Sequence, residues 1–175
     1  MLKKSIIFLL LVILASCSGS SGSGTSSNGL TAAIDYSKGF IGTAQKGPLL
    51  YGSYVTAFLL DNNMNPTGQS YETQTTDDLG NFTVSSNISS NLVEMVATGY
   101  YFDEISGGLS SAPITLNAYA DLSIDATPTV NVLTTLQAPR VKVLIGKGKT
   151  YSQALQQSAT EVLAVFGINS SLINN

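Results

Sequence analysis

Four oxygen-bearing side chains between residues 61 and 72 have the spacing of a calcium-binding loop. Asp61, Asn63, Asn65 and Glu72 stand at positions 1, 3, 5 and 12 of the helix-flanked loop that surrounds the ion with oxygen atoms. Position 6 of that loop must be glycine with a positive φ, and the ring of Pro66 forbids this angle. We therefore interpret the segment as a turn between two strands; the alternative is a weak calcium site.

The sequence offers few groups for catalysis. It has no histidine and one cysteine, which excludes histidine-activated nucleophiles and histidine metal ligands. Two carboxylate pairs remain, Asp77/Asp78 and Asp103/Glu104, but neighbours along a strand point to opposite faces and do not converge on one substrate bond. We predict that the chain is not an enzyme and that it has no catalytic, cofactor-binding or metal-binding residues.

The single cysteine, Cys17, follows a secretory signal. Two lysines precede an apolar run over residues 6–14, which is too short for the ~20 residues that span a bilayer. The sequence "LASC" at residues 14–17 resembles the lipobox of bacterial lipoproteins. This resemblance implies that residues 1–16 are removed and that Cys17 is acylated, so that several lipid chains anchor the protein. The alternative for Cys17 is a free or structural thiol.

The position after the cysteine and the net charge bear on location and partners. Ser18 replaces the acidic residue that retains lipoproteins of diderm bacteria at the inner membrane, so we expect an outer-membrane protein of the cell envelope. Without residues 1–16 the chain has six basic and eleven acidic residues, a net charge of −5. This charge argues against a nucleic-acid partner and against electrostatic docking on anionic lipid. We predict membrane contact through Cys17 and an unidentified protein or glycan partner.

The rest of the chain divides into a tether and a folded part. Residues 17–29 comprise the acylated cysteine and a tether; residues 18–29 are almost entirely Ser and Gly, which predicts a flexible segment with a root-mean-square span of roughly 20 Å. Residues 30–126 contain short runs rich in Val, Ile, Thr, Tyr and Phe about every ten positions, which predicts an antiparallel β-sandwich. The predicted strands are Gly39–Gln45, Ser53–Leu60, Ser70–Thr76, Asn81–Ser85, Leu92–Gly99, Tyr100–Ile105, Ile114–Asn117 and Asp121–Ile124, with a β-turn "NPTG" at residues 65–68.

The periodicity becomes helical over residues 127–168. Thr127-Pro128 predicts the start of a first helix, and Pro139 is expected to kink or divide it. "GKG" ends this helix, and Thr150 with Gln153 predicts a capping box for a second one.

The second helix carries an apolar stripe. The stripe comprises Leu155, Ala159, Val162 and Phe166, which share one helical face. We predict an αα-hairpin packed on the sandwich and a tail at residues 169–175. The alternative is that the stripes of the hairpin form a membrane or partner surface.

The segment "TDDLGNF" carries a second resemblance. Thr76, Asp77, Gly80 and Phe82 match a corner of the transthyretin-like or carboxypeptidase-regulatory-like sandwich, a class of Ig-like domain that includes the B-type repeats of bacterial surface adhesins. The corner makes physical sense: Asp77 accepts hydrogen bonds from turn amides, Gly80 takes a positive φ, and Phe82 enters the core. The resemblance implies a fold and is nearly silent about function.

The likeness to adhesin repeats implies one covalent site. Some of these repeats form a Lys–Asn isopeptide bond promoted by a buried glutamate, and Lys46, Glu94 and Asn117 lie in early, middle and late strands. Lys46, however, stands in "QKGPL", which is typical of a strand end rather than a core.

The residues favour a non-catalytic role in adhesion, envelope assembly or extracellular ligand binding. The alternative is an accessory or chaperone-like subunit that positions a secreted enzyme or polymer. Two features distinguish these functions. A flat surface of exposed aromatics, for which Tyr100, Tyr101 and Phe102 are candidates, would favour glycan binding. A long uncovered strand edge would favour assembly with a partner by β-augmentation.

Overall fold

The computed structural model describes residues 33–168, which form nine strands and two helices. The elements are β1 (Phe40–Gln45), β2 (Tyr54–Leu60), β3 (Pro66–Gln74), β4 (Asn81–Val84), β5 (Leu92–Gly99), β6 (Phe102–Asp103), β7 (Gly108–Leu109), β8 (Ile114–Asp121), β9 (Thr129–Asn131), α1 (Val132–Gly146) and α2 (Tyr151–Val165). The prediction of a mainly β chain with antiparallel sheets followed by two helices is confirmed.

Two sheets of residues 33–168 face each other in a sandwich-like arrangement. One has the order β3-β2-β5-β8 and is antiparallel throughout. The other has the order β4-β1-β9, in which β1 pairs antiparallel with β4 but parallel with β9. The parallel strand β9 lies in the segment that the sequence predicted as helical, beyond the predicted sandwich at residues 30–126. A short ribbon of β6 and β7 lies outside both sheets.

One hydrophobic core joins the inner faces of both sheets. Alternation along β2 buries Val55, Ala57 and Leu59 completely. From the other sheet, Phe82 is 1% exposed and meets Phe40 edge to face, with ring centroids 6.3 Å apart. The corner predicted from "TDDLGNF" thus places its aromatic residue in the core as expected.

Local chemistry explains the turn after β2. The Asp61 carboxylate accepts hydrogen bonds from the amides of Asn63 (2.8 Å) and Asn65 (2.9 Å), and Met64 adopts a left-handed φ of 63°. The predicted "NPTG" turn is wrong, because Pro66 already begins β3 and the reversal occurs at residues 61–65. Met64 tolerates its strained backbone because its side chain is buried in a second core beneath the helices.

The corner before β4 repeats this turn. Asp77 Oδ1 accepts hydrogen bonds from the amides of Leu79 and Asn81, both at 3.0 Å, and Asn81 Nδ2 donates to Asp77 Oδ2 at 2.6 Å. Gly80 stands where Met64 stands in the first turn and has a φ of 79°. The predicted roles of Asp77 and Gly80 are confirmed. In both turns an aspartate is followed three residues later by a residue with a left-handed φ and four residues later by an asparagine.

Three strand predictions need correction. Ile114–Asn117 is the first half of a longer strand, β8, which continues to Asp121. Asp121–Ile124 is a turn, in which the Ile124 amide donates to the Asp121 carbonyl at 3.1 Å. Tyr100–Ile105 forms only the two-residue strand β6, because the chain reverses after Asp103 into the β6–β7 ribbon.

The first helix begins at Val132 rather than at Thr127. Val130 is fully buried beside β1, so residues 129–131 complete the sheet before the helix starts. Asn131 caps α1: its side chain accepts from the Thr134 amide at 2.9 Å, and its own amide donates to the Thr134 hydroxyl at 2.8 Å. Pro139 does not divide the helix, which continues to Gly146.

The second helix begins as predicted and ends earlier than its apolar stripe. Thr150 and Gln153 form the expected capping box. Phe166, however, lies beyond the last helical residue and is 55% exposed, so its prediction as a core residue is wrong. The core under the helices consists instead of Leu60, Met64, Leu92, Val141, Leu144 and Ala154.

Candidate functional site

A tight turn before β2 displays two tyrosines. The Ser53 amide donates to the Leu50 carbonyl at 3.1 Å, and Gly52 has a φ of 79°, which is the geometry of a type II turn with glycine at its third position. Tyr51 occupies the second position and is 72% exposed, and Tyr54 at the start of β2 is 67% exposed. The turn thus holds two aromatic rings on the surface.

Hydrogen bonds from two neighbouring side chains fix this turn. The Thr75 side chain is 1% exposed; its hydroxyl donates to the Leu50 carbonyl and accepts from the Ser53 amide at 2.9 Å. Asp78, from the adjacent corner, accepts from the Tyr51 amide at 2.9 Å. A surface aromatic residue on a turn braced from below is pre-organised for binding.

The opposite wall comes from the end of β5. Tyr54 pairs with Thr98, and Tyr100 follows directly after this strand with 46% of its surface exposed. Gly99 permits the close approach of the two walls, because a Cβ there would lie 2.0 Å from Ser53 Oγ. Between these walls lies an open cleft of about 390 Å³, called the tyrosine cleft below. Its lining is Leu50, Tyr51, Gly52, Ser53, Tyr54, Thr98, Gly99, Tyr100, Leu109 and Pro113.

The tyrosine cleft suits a neutral ligand with both apolar and polar faces. In the described part of the chain, its lining includes no charged side chain. The Ser53 hydroxyl is already committed to the Leu50 carbonyl at 2.7 Å. The cleft therefore offers mainly aromatic faces and phenol groups, which stack on flat apolar surfaces and exchange hydrogen bonds with hydroxyls.

The aromatic surface differs from the one that the sequence indicated. Of the three candidates, Tyr100 lines the cleft, whereas Tyr101 packs against the core and Phe102 is not among the lining residues. Successive extended residues point in alternate directions, so three in a row do not form one flat surface. Tyr51 and Tyr54 were missed, although "YGSY" combines a turn glycine with two aromatics and is the signal that marks them.

Of the three candidate isopeptide residues, Glu94 and Asn117 lie on the adjacent strands β5 and β8, whereas Lys46 follows β1 in the other sheet. Lys46 Nζ lies 4.4 Å from the centre of the Tyr101 ring, and Asn117 Oδ1 is buried without a hydrogen-bond partner in the structure. Glu94 lies opposite Tyr119 across β5 and β8. Burial is the main cause that raises the pKa of Tyr119 to about 12, and the negative charge of Glu94 adds to this effect.

The aspartates of residues 33–168 stabilise the main chain by accepting hydrogen bonds from it. Each of the seven accepts a hydrogen bond from a main-chain amide, as described above for Asp61, Asp77 and Asp78. In the first turn, the Asn65 amide is the foremost cause that holds the pKa of the Asp61 carboxyl below its usual value. In the second, the Asn81 side chain does the same for the pKa of Asp77. Among residues 33–168, no group of carboxylates is arranged to hold a metal ion.

Two sheet edges are engaged by hydroxyl side chains. At β8, the Asn117 amide donates to the Thr135 hydroxyl at 2.9 Å, and its carbonyl accepts from Thr134 at 2.9 Å, so the start of α1 covers this edge. At β3, the Thr73 hydroxyl donates to the Thr83 carbonyl of β4 at 2.8 Å and the Tyr71 hydroxyl to the Asn87 carbonyl after β4, so this edge of β3 lies beside β4. Strand addition by a partner is therefore obstructed at these positions.

The predicted lipidation residue, Cys17, lies outside the described residues. Neither helix within residues 33–168 is long and apolar enough to cross a bilayer. Comparison of the chain with protein-family models, with curated proteins and with solved structures returned no match.

Proposed function

We propose that the chain is a lipid-anchored protein of the bacterial cell envelope that binds an uncharged glycan through the tyrosine cleft. The observation that carries this proposal is the convergence of Tyr51, Tyr54 and Tyr100 around an uncharged cleft. A sugar ring presents a C–H face that stacks on aromatic rings, and its hydroxyls match phenol groups. Binding of this kind needs no catalytic group, which agrees with the use of the aspartates to hold turns.

Substitution of the cleft tyrosines tests the proposal. We expect Tyr51→Ala and Tyr54→Ala each to weaken binding to a neutral hexose oligosaccharide about tenfold or more, which corresponds to about 1.4 kcal/mol. Tyr51→Phe should retain most of the affinity, because it keeps the stacking ring and removes only the hydroxyl. The measurement is screening on immobilised neutral oligosaccharides, followed by calorimetry with the best binder.

An exposed aromatic residue elsewhere provides the control. Phe166→Ala removes a ring of comparable exposure from the end of α2 and should leave glycan affinity unchanged. If the unsubstituted protein retains only acidic glycans, or if the alanine variants bind as well as it does, the cleft is not a neutral-glycan site.

We also propose that the domain belongs to the transthyretin-like class of Ig-like sandwiches. The Asp77 turn, the left-handed Gly80 and the buried Phe82 support this proposal, because they supply the local geometry expected of that corner.

The lipid anchor is expected at Cys17. We predict that the protein labels with palmitate in growing cells and partitions into detergent, because several acyl chains bind membranes firmly. Cys17→Ala should accumulate as an unprocessed, unlabelled precursor. An unlabelled parent protein that stays in the aqueous phase would contradict the anchor without affecting the glycan proposal; cell fractionation then decides between inner and outer membrane.

A further inference from the structure

Helix α1 buries one of two apolar sides. Ala138, Val141 and Leu144 face the domain and are at most 6% exposed. They are spaced by three residues and so lie on one side of the helix. This side accounts for the attachment of α1 to the sandwich and to α2.

The opposite side of α1 is also apolar and lies in solvent. Val132, Leu136, Pro139 and Val143 follow the spacing i, i+4, i+7 and i+11, which forms one narrow stripe along the helix. Leu136 and Val143 are each 48% exposed, and Val132 is 38% exposed. We call these four residues the outer stripe. A helix with apolar residues on two sides is ordinarily buried on both, so the exposed side is expected to contact a second apolar surface.

Charge is segregated between the helices and the sandwich. Residues 127–168 contain Arg140, Lys142, Lys147 and Lys149 but a single acid, Glu161, and so carry a net charge of +3. Residues 33–126 contain two lysines and ten acids, a net charge of −8. The helical hairpin is therefore basic, although the net charge of the whole chain is negative.

Basic side chains flank the outer stripe. Lys142 adjoins Val143 in sequence, and Lys147 follows it by four residues, which is about one helical turn. Arg140 is neutralised by Glu161, with Nη2 and Oε1 2.8 Å apart, whereas neither lysine forms a salt bridge with any residue in the 33–168 range. Two unpaired cations therefore lie at the margin of an exposed apolar surface.

We propose that the outer stripe docks on an anionic lipid surface, with α1 lying in the plane of the interface. Apolar residues bordered by lysines bind such surfaces by burying side chains at the acyl boundary while the cations meet lipid phosphates. A second copy of the chain fits less well, because pairing two outer stripes brings two basic faces together. This contact orients the domain and is independent of glycan binding.

A fluorescent probe at the stripe tests the proposal. Val143→Cys, in the full-length protein purified from cells, is labelled with the polarity-sensitive dye NBD; the parent protein, labelled in the same way, gives any contribution of Cys17. The probe should become several-fold brighter and blue-shifted on phosphatidylcholine vesicles containing about one third phosphatidylglycerol, relative to phosphatidylcholine alone. About 0.5 M sodium chloride should reverse most of this change, because salt screens exposed charges.

Matched variants separate the outcomes. Ile105→Cys places the dye at a site that is 96% exposed on the acidic part of the domain and should respond equally to both vesicles. Lys142→Glu with Lys147→Glu should abolish the preference of the Val143 probe for anionic vesicles, whereas Lys38→Glu should leave it intact. A Val143 signal that ignores lipid charge overturns the proposal, as does one that rises with protein concentration on neutral vesicles, which would assign the stripe to a second copy.

Discussion

Replacement of Phe82 by alanine is expected to lower the free energy of unfolding by about 3–5 kcal/mol, out of a total of roughly 5–15 kcal/mol for a domain of this kind. Phe82 is among the largest fully buried side chains of residues 33–168, and its loss removes the edge-to-face contact with Phe40. The cavity would lie between the two sheets, because Phe82 belongs to the core cluster to which both sheets contribute, including Val55 and Met95 of the opposite sheet. Urea unfolding followed by circular dichroism measures the change.

Phe166→Ala is the matched control for this substitution. It deletes the same atoms from a ring that is 55% exposed after the end of α2, so we expect a change of less than about 1 kcal/mol. Equal losses for the two variants would contradict the assignment of Phe82 to the core and of Phe166 to the surface.

Gly80→Ala is expected to cost about 2–5 kcal/mol. About 1–2 kcal/mol comes from placing a Cβ in the left-handed region, and a further 1–3 kcal/mol comes from overpacking. The added Cβ would lie 2.2 Å from the Ala44 carbonyl oxygen, and this backbone is held in β1 by a hydrogen bond from the Ala44 amide to the Gly80 carbonyl. Thermal and urea unfolding should agree on the loss.

Gly107→Ala separates the two contributions. Gly107 also has a left-handed φ, 69°, but nothing lies within 4 Å of its added Cβ. We expect only the conformational cost of about 1–2 kcal/mol at this position. If Gly80→Ala costs no more than Gly107→Ala, the close approach between the corner and β1 is not a constraint on this domain.

Two features of the domain are predictable from the sequence because their determining contacts are local. The Asp77–Asn81 corner is decided within five residues, and the Thr150 capping box within four, so their residue types specify them directly. The end of α2 shows the limit of periodicity. Helical spacing places Phe166 on the apolar face, but it does not reveal that the helix ends at Val165, one residue earlier.

The tyrosine cleft depends on contacts that sequence spacing does not contain. Tyr54 meets Thr98 only because β2 pairs with β5, and Tyr100 joins the cleft because this strand ends beside the type II turn. The sequence marks Tyr51 and Tyr54 as aromatics near a turn glycine but does not show what lies opposite. The "NPTG" prediction failed for a different, local reason: the Asp61 carboxylate fixes the reversal before the proline is reached.

The parallel pairing of β1 with β9 determines when the domain can be completed during synthesis. Thr43 and Thr129, whose hydroxyls lie 3.2 Å apart, are separated by 86 residues, whereas the turns at Asp61 and Asp77 close within five. Short loops close at a smaller entropic cost and sooner than long ones. A chain that emerges from its N-terminus therefore forms the β2–β3 hairpin early, while one edge of β1 stays unpaired until residue 131 has appeared. We expect that edge to be the position at which a stalled or truncated chain aggregates.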